Sequence, residues 1–140
     1  LANGVLGWVG MWFGYPDLSF QQLLGYIFAP IMFLIGVPWE DAGVAGGLFG
    51  TKIVLNEFVA YAQLSGMLVE QPQALSPRSF TITVYALCGF ANFGSVAIMI
   101  GGIGGLAPER RGDLARLGLR SILGGTMATM LTGAVVGFFL

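Results

Sequence analysis

The residues that decide the fold are GTKIVLNEFVAY, positions 50–61, which place Lys52 and Glu57 in the middle of an apolar stretch running from 42 to 69. A single helix needs about 20 residues to cross ~30 Å of hydrocarbon, and this stretch is longer. A re-entrant hairpin of two half-helices over residues 40–69, with its tip at mid-membrane, explains both the length and the central charges. One tilted helix is the alternative that remains open. The glycines that would let the first half-helix pack closely against a neighbour are Gly43, Gly46, Gly47 and Gly50.

A second interruption lies in the next apolar stretch, residues 79–107, which is uncharged and again longer than one span requires. Its centre reads GFANFGS, positions 89–95, with two glycines around an asparagine. Each glycine weakens a helix by about 1 kcal/mol relative to alanine, and lipid forbids unwound backbone that a polar cavity tolerates. We therefore predict a broken transmembrane helix. Two interrupted segments in succession indicate a transporter binding site at the midplane.

The flanking segments complete an all-α polytopic membrane protein. Residues 1–13 predict the end of a transmembrane helix, and a turn follows at 14–17. Residues 18–37 carry no charge but contain polar side chains and a proline, so they either lie along the membrane surface or span it. Residues 110–140 predict the C-terminal transmembrane helix, charge-free from position 121. Because the first helix lacks its start, we interpret the chain as the C-terminal half of a longer protein.

Composition supports the membrane class. The 140 residues are 56% hydrophobic and 9% charged, with a mean hydropathy of +0.82, whereas soluble domains carry about 25% charged residues. A net charge of −1 with six basic residues provides no nucleic-acid surface. The absence of histidine removes His-based triads and His metal sites. The single cysteine, Cys88, lies in an apolar run and is expected to be a buried packing residue.

The arginines predict the orientation in the membrane. Four of the five lie between positions 110 and 120, where the last two spans are joined. Cytoplasmic loops carry an excess of Lys and Arg, so the loop at 107–113 is predicted to be cytoplasmic and the C-terminus to lie outside. The acidic residues mixed among these arginines also fit a solvated helix start, so the basic cluster needs no partner.

Three polar residues could carry chemistry. Glu57 is the first, because a carboxylate at membrane depth is costly unless it is paired or hydrated. It either accepts hydrogen bonds from a polar ligand or forms a structural ion pair with Lys52. Asn92 and Ser95 offer donors and acceptors that one broken turn could aim at the same cavity, although hydrogen bonding between helices explains them equally well. Phe90 beside them more often faces lipid or core than a ligand.

Three blocks of sequence resemble the concentrative nucleoside transporter family. The first is positions 50–61, with a small residue, Lys two positions later, then Asn-Glu-Phe-Val-Ala and an aromatic residue. The second is YALCGFANFGS at 85–95, and the third is LAPERR at 106–111. The blocks follow in the family's order, and the resemblance as a whole extends over essentially the entire chain. No departure from the pattern is visible in the first two.

The resemblance implies a fold of two inverted repeats, each a re-entrant hairpin followed by a broken helix, with this chain holding the second. It makes residues 18–37 an interfacial helix. It also implies that four residues bind the ribose hydroxyls or line the sugar pocket, and that two more support the hairpin tip. The ribose-binding residues are Glu57, Asn92, Ser95 and, lining the pocket, Phe90; the supporting residues are Asn56 and Lys52.

The function that the resemblance implies is an ion-coupled symporter for uridine-like nucleosides in the plasma membrane, the inner membrane in a bacterium. The coupling cation, sodium or proton, would be bound mainly by the missing half. Homotrimeric assembly is implied, and no further cofactor. A membrane enzyme would need a second acid–base group beside Glu57, which the sequence does not supply. A channel-like or structural membrane subunit without coupled transport remains the alternative.

Overall fold

The computed structural model describes residues 2–12, 14–15 and 18–140. The regular secondary structure within these residues consists of helices and no strands, which confirms the predicted all-α class. The ends of the predicted first helix, at positions 1 and 13, and the turn residues Pro16 and Asp17 lie outside the described residues. The α-helices of the described residues are α1 (Ala2–Trp12), α2 (Phe20–Leu34), α3 (Trp39–Val54), α4 (Glu57–Glu70), α5 (Pro77–Leu87), α6 (Phe93–Leu106) and α7 (Arg111–Phe138), with a 3-10 turn at Pro108–Arg110.

Helices α2 and α3 pack with their backbones in contact. Glycine makes this approach possible, since a methyl group added at Gly46 would lie 2.8 Å from the backbone nitrogen of Ala29. One added at Gly47 would lie 2.9 Å from the carbonyl oxygen of Gln21. Gly43 differs from the rest of the predicted glycine series, because a methyl group there would meet nothing within 4 Å. The backbone of Gly43 still approaches α2, since a methyl group added at Gly25 would lie 2.7 Å from its carbonyl oxygen, but the missing side chain of Gly43 faces open space.

We expect Gly46→Ala to destabilise the protein by about 1–3 kcal/mol, because the added methyl group overpacks a contact with backbone that cannot rotate away. Unfolding of the purified full-length protein in detergent measures this effect. Gly43→Ala is the matched control on the same helix, and we expect it to be neutral or slightly stabilising, since alanine favours helix. Equal loss of stability in both variants would contradict this account of the α2–α3 interface.

Helices α3 and α4 form a hairpin whose tip is at Leu55 and Asn56. Its open end is fixed at Asp41 in the first turn of α3. The Asp41 carboxylate accepts hydrogen bonds from the backbone nitrogen of Ser76, at 3.1 Å, and from its hydroxyl, at 2.7 Å. Helix α4 ends at Glu70, six positions before Ser76, so it returns toward the start of α3. With 16 and 14 residues, each helix is shorter than the about 20 residues that cross a membrane.

Helix α7 lies alongside both α5 and α6. A methyl group added at Gly118 would lie 2.7 Å from Val96 in α6, and one added at Gly133 would lie 3.3 Å from Ala86 in α5. The earlier part of α7 thus lies beside α6, and its later part lies beside α5, which comes before α6 in the chain. Helix α7 therefore runs antiparallel to α5 and α6. One continuous helix, α7, contacts both α5 and α6, on either side of the interruption at residues 88–92.

The C-terminal helix starts earlier than its charge-free stretch. Residues Arg111 to Asp113 form the first turn of α7; they lie inside the helix predicted over 110–140 and also inside the connection predicted at 107–113. Arg111 donates a hydrogen bond from Nε to the carbonyl oxygen of Gly104 at 2.8 Å, and Arg110 forms a 3.1 Å salt bridge with Asp113. The Arg111 contact satisfies a carbonyl near the end of α6, where backbone acceptors lack partners within their own helix. Together with the 3-10 turn, this helix is long and apolar enough to cross a membrane.

Candidate functional site

The site is built from two helix starts, each capped by an asparagine. Asn56 precedes α4, and its side-chain oxygen accepts a hydrogen bond from the backbone nitrogen of Val59 at 2.9 Å. Asn92 precedes α6 and accepts in the same way from Ser95 at 2.7 Å. Both asparagines have extended backbone, as residues at the N-cap position do. Each helix therefore begins anew at its break and presents the positive end of its dipole there.

The two helix starts are joined by a hydrogen bond between Glu57 and Asn92. The side-chain nitrogen of Asn92 donates to Oε2 of Glu57 at 3.0 Å. The breaks also approach through their backbones, because a methyl group added at Gly94 would lie 3.2 Å from the carbonyl oxygen of Leu55. Asn92 is fully buried and Glu57 is half-buried. The structure thus brings two of the predicted site residues into direct contact, 35 positions apart in sequence.

Glu57 retains capacity for a ligand. An ionised carboxylate offers about four acceptor positions, and the only side-chain hydrogen bond to Glu57 among the described residues comes from Asn92. As the first residue of α4, Glu57 is placed where a helix dipole stabilises negative charge. The Glu57 carboxylate can therefore accept further hydrogen bonds from hydroxyl groups.

Ser95 and Phe90 lie on either side of Asn92. Ser95 is half-buried in the first turn of α6 and uses its backbone nitrogen for the Asn92 cap, which leaves its hydroxyl without a partner in the described part of the chain. Phe90 lies within the break and is 78% exposed. Phe58, directly after Glu57, is exposed to the same extent, at 77%. The sequence interpretation did not select Phe58, although its place next to the central carboxylate was a signal.

Lys52 does not pair with Glu57. Its ammonium group is fully buried, donates a hydrogen bond to the hydroxyl of Thr129 at 3.1 Å and lies 5.1 Å from the centre of the Phe49 ring. Within residues 2–12, 14–15 and 18–140 the only salt bridge is that between Arg110 and Asp113. The ion pair considered as an alternative role for Glu57 is therefore absent from this structure.

Two further residues near the breaks escaped the sequence interpretation. Thr129 of α7 receives the Lys52 hydrogen bond, and the hydroxyl of Tyr61 in α4 donates to the carbonyl oxygen of Val84 in α5 at 2.7 Å. Cys88 differs from its prediction, since it is exposed at the end of α5 instead of buried. Across the described ranges, no group of three His, Cys, Asp or Glu side chains is placed to hold a metal ion.

A helical hairpin and a broken helix whose polar starts meet define a class of membrane transporter that builds its site from discontinuous helices. The chain belongs to the concentrative nucleoside transporters: it matches the family model described as "Na+ dependent nucleoside transporter C-terminus" over residues 1–137. This confirms the family that the sequence blocks predicted and the position within its C-terminal half. The family comprises transporters, not enzymes, and its members are multi-pass proteins of the plasma membrane.

Individual relatives agree with this placement. An uncharacterized transporter of Bacillus subtilis strain 168, YutK, is 50% identical over 140 residues, which are 100% of this chain and 34% of that protein. Sodium/nucleoside cotransporter 1 of Rattus norvegicus is 41% identical over 97% of this chain and 23% of its own length. A solved structure, CNTnw in an inward-facing substrate-bound state, superposes with a TM-score of 0.91 at 46% identity, covering 98% of this chain and 33% of that one. This chain thus spans about a third or less of these relatives.

Proposed function

We propose that the complete protein is an ion-coupled nucleoside symporter and that this chain supplies the ribose-binding half of its site. The observation that carries the proposal is the 3.0 Å hydrogen bond between Glu57 and Asn92, which holds the starts of a hairpin helix and a broken helix against each other. Membership of the nucleoside transporter family supplies the substrate class. A rat relative is named for sodium and nucleoside cotransport.

Ribose suits the polar groups that meet here. Its hydroxyls both donate and accept hydrogen bonds, and they require partners of both kinds. Glu57 supplies acceptors, and the Ser95 hydroxyl supplies either kind. Asn92 spends one amide hydrogen on Glu57 and one oxygen lone pair on Ser95, which leaves a second hydrogen and a second lone pair. Because Asn92 is fully buried in this arrangement, a sugar would reach these two groups only after the side chains that cover them move aside. Phe90, exposed within the break, would line the pocket with an apolar face.

The roles of Asn56 and Lys52 follow from where they lie. Asn56 caps the start of α4, so it fixes the direction of the backbone that carries Glu57. Lys52 is buried on the other side of the tip and contacts α7. Neither side chain needs to touch the sugar, and both would support the tip that does.

Alternating access would come from the hairpin and the broken helix moving together against a fixed scaffold. In this proposal α3 and α4 enter and leave the membrane from the same side, because each is too short to cross it alone. The joint between α6 and α7, at 107–113, is cytoplasmic and the C-terminus lies outside. Sodium or protons drive uptake through residues mainly outside this chain, the complete protein assembles as a homotrimer, and uridine-like nucleosides are its substrates. In a bacterium it occupies the inner membrane.

The proposal is tested by uptake of radiolabelled uridine into proteoliposomes containing the full-length protein, with a sodium gradient, a proton gradient or neither. Saturable uptake above equilibrium with one gradient supports the symporter and identifies the coupling ion. Uptake that is linear in concentration and indifferent to both gradients would instead support a channel. If the folded, inserted protein takes up no uridine under any of these conditions, the remaining interpretation is a structural membrane subunit.

A further inference from the structure

Thr129 of α7 lies where the two interrupted segments come together. Its hydroxyl accepts the hydrogen bond from Lys52 at 3.1 Å and donates to the carbonyl oxygen of Thr126, one turn earlier in α7, at 3.0 Å. The hydroxyl therefore serves as donor once and acceptor once, which fixes its orientation. Only 9% of Thr129 is exposed.

Lys52 depends strongly on its hydrogen bond to Thr129. An ammonium group has three hydrogens to donate, and Lys52 is fully buried with Thr129 as its only hydrogen-bond acceptor among the described residues. The Phe49 ring, 5.1 Å from the nitrogen, supplies a further favourable contact. Removing the partner of a buried charged donor is costly because the charge is left without compensation. The end of α3 is therefore held to α7 at this point.

The methyl group of Thr129 holds the broken helix in the same way. A methyl group added at Gly89 would lie 2.5 Å from Cγ2 of Thr129, so the backbone of the break is seated directly on this side chain. Cγ2 has little freedom to move aside, because the hydroxyl on the same carbon is bound on both sides. Gly89 precedes Asn92 by three positions and Lys52 precedes Glu57 by five. Thr129 thus contacts both segments just before their functional ends.

We propose that Thr129 is a positioning residue that sets the spacing between the hairpin tip and the broken helix. Through Lys52 on one side and Gly89 on the other, it fixes the relative position of Glu57 and Asn92, which contact each other at 3.0 Å. The inference rests on the proposed function, since it names the residue that holds the ribose-binding groups in register. Small displacements of such groups lower affinity strongly.

The experiment compares Thr129→Val with Thr132→Val in the full-length protein in proteoliposomes. Valine keeps the shape of threonine and removes the hydroxyl. Thr132 is the matched control, because it is exposed on the same helix and its hydroxyl bonds only to the carbonyl oxygen of Ala128. We expect Thr129→Val to raise the KM for uridine on the order of tenfold and to reduce the preference for uridine over 3′-deoxyuridine. Thr132→Val should leave both quantities unchanged.

A second pair of variants tests the other contact and does not depend on whether the valine variant folds. Gly89→Ala should raise the KM, because its methyl group pushes the break away from Thr129. Adding Thr129→Ser removes Cγ2 but keeps the hydroxyl, so the double variant should recover a KM near that of the wild type. The preference for uridine over 3′-deoxyuridine should fall in Gly89→Ala and recover in the double variant together with the KM, whereas a loss of helix stability alone would lower the amount of active protein and leave both quantities unchanged.

Several outcomes would overturn the inference. One is an unchanged KM and sugar preference in Thr129→Val. Another is a fall in the amount of inserted protein, or in maximal rate alone, with KM and preference intact. A Gly89→Ala defect that Thr129→Ser does not relieve would also count against it. A wild-type protein that takes up no nucleoside would instead refute the proposed function, and the inference with it.

Discussion

Glu57→Gln is expected to reduce uridine uptake by the full-length protein roughly a hundredfold. Glutamine keeps the length of the side chain and an oxygen that can accept from Asn92, so the 3.0 Å contact between the two helix starts has a substitute. What glutamine loses is the second carboxylate oxygen, which becomes an amide nitrogen that donates. A sugar hydroxyl that donated to this oxygen then faces another donor, and a buried polar group without a partner costs about 1–3 kcal/mol. Initial rates of radiolabelled uridine uptake measure the effect.

The matched control for this substitution is Glu70→Gln at the far end of the same helix. Glu70 is exposed and is the last residue of α4, so the same change of charge occurs there without a neighbouring site. We expect uptake by this variant within a factor of about two of the wild type, as for most surface substitutions. Wild-type uptake by Glu57→Gln would make Glu57 a structural charge and would leave family membership untouched.

The interruptions in the helices were predictable because their local sequences conflict with an unbroken span. Lys52 and Glu57 lie near the centre of an apolar stretch, and Gly89 and Gly94 surround Asn92. The observed breaks lie at Leu55–Asn56 and at 88–92, inside the segments where those conflicts occur. The breaks could be predicted because their cause lies within a few neighbouring residues: an asparagine side chain satisfies the free backbone groups at a new helix start.

The partner of Lys52 was not predictable in the same way. Sequence places Glu57 five positions away and so suggests an ion pair, whereas the ammonium group bonds to Thr129, 77 positions away. Threonine is common in apolar helices and usually bonds to its own backbone, as Thr132 does, so nothing in the sequence distinguishes Thr129. Only the packing of α7 against both breaks selects it. Cys88 shows the same limit, because the end of α5 leaves it exposed in an apolar run that predicts burial.

The second large effect is expected in the choice between sugars. The wild-type protein should take up uridine about a hundred times more efficiently than 3′-deoxyuridine, compared as Vmax/KM. A site built to hydrogen-bond a hydroxyl is left with unpaired polar groups when that hydroxyl is missing, and the penalty exceeds that of removing an apolar contact. Competition between the two labelled nucleosides in proteoliposomes measures the ratio. Equal uptake of both would remove the ribose assignment from Glu57, Asn92 and Ser95 together.

Ser95→Ala refines this test, because it removes one sugar partner without breaking the Asn92 cap, which uses the backbone nitrogen of Ser95. If the Ser95 hydroxyl contacts the 3′-hydroxyl, the ratio between the two sugars should fall about tenfold through slower uridine uptake, with 3′-deoxyuridine unaffected. Ser121→Ala is the control, since that exposed hydroxyl bonds to the carbonyl oxygen of Gly118 in its own helix. If both sugars slow equally in Ser95→Ala, Ser95 supports the start of α6 and Glu57 and Asn92 alone read the 3′-hydroxyl.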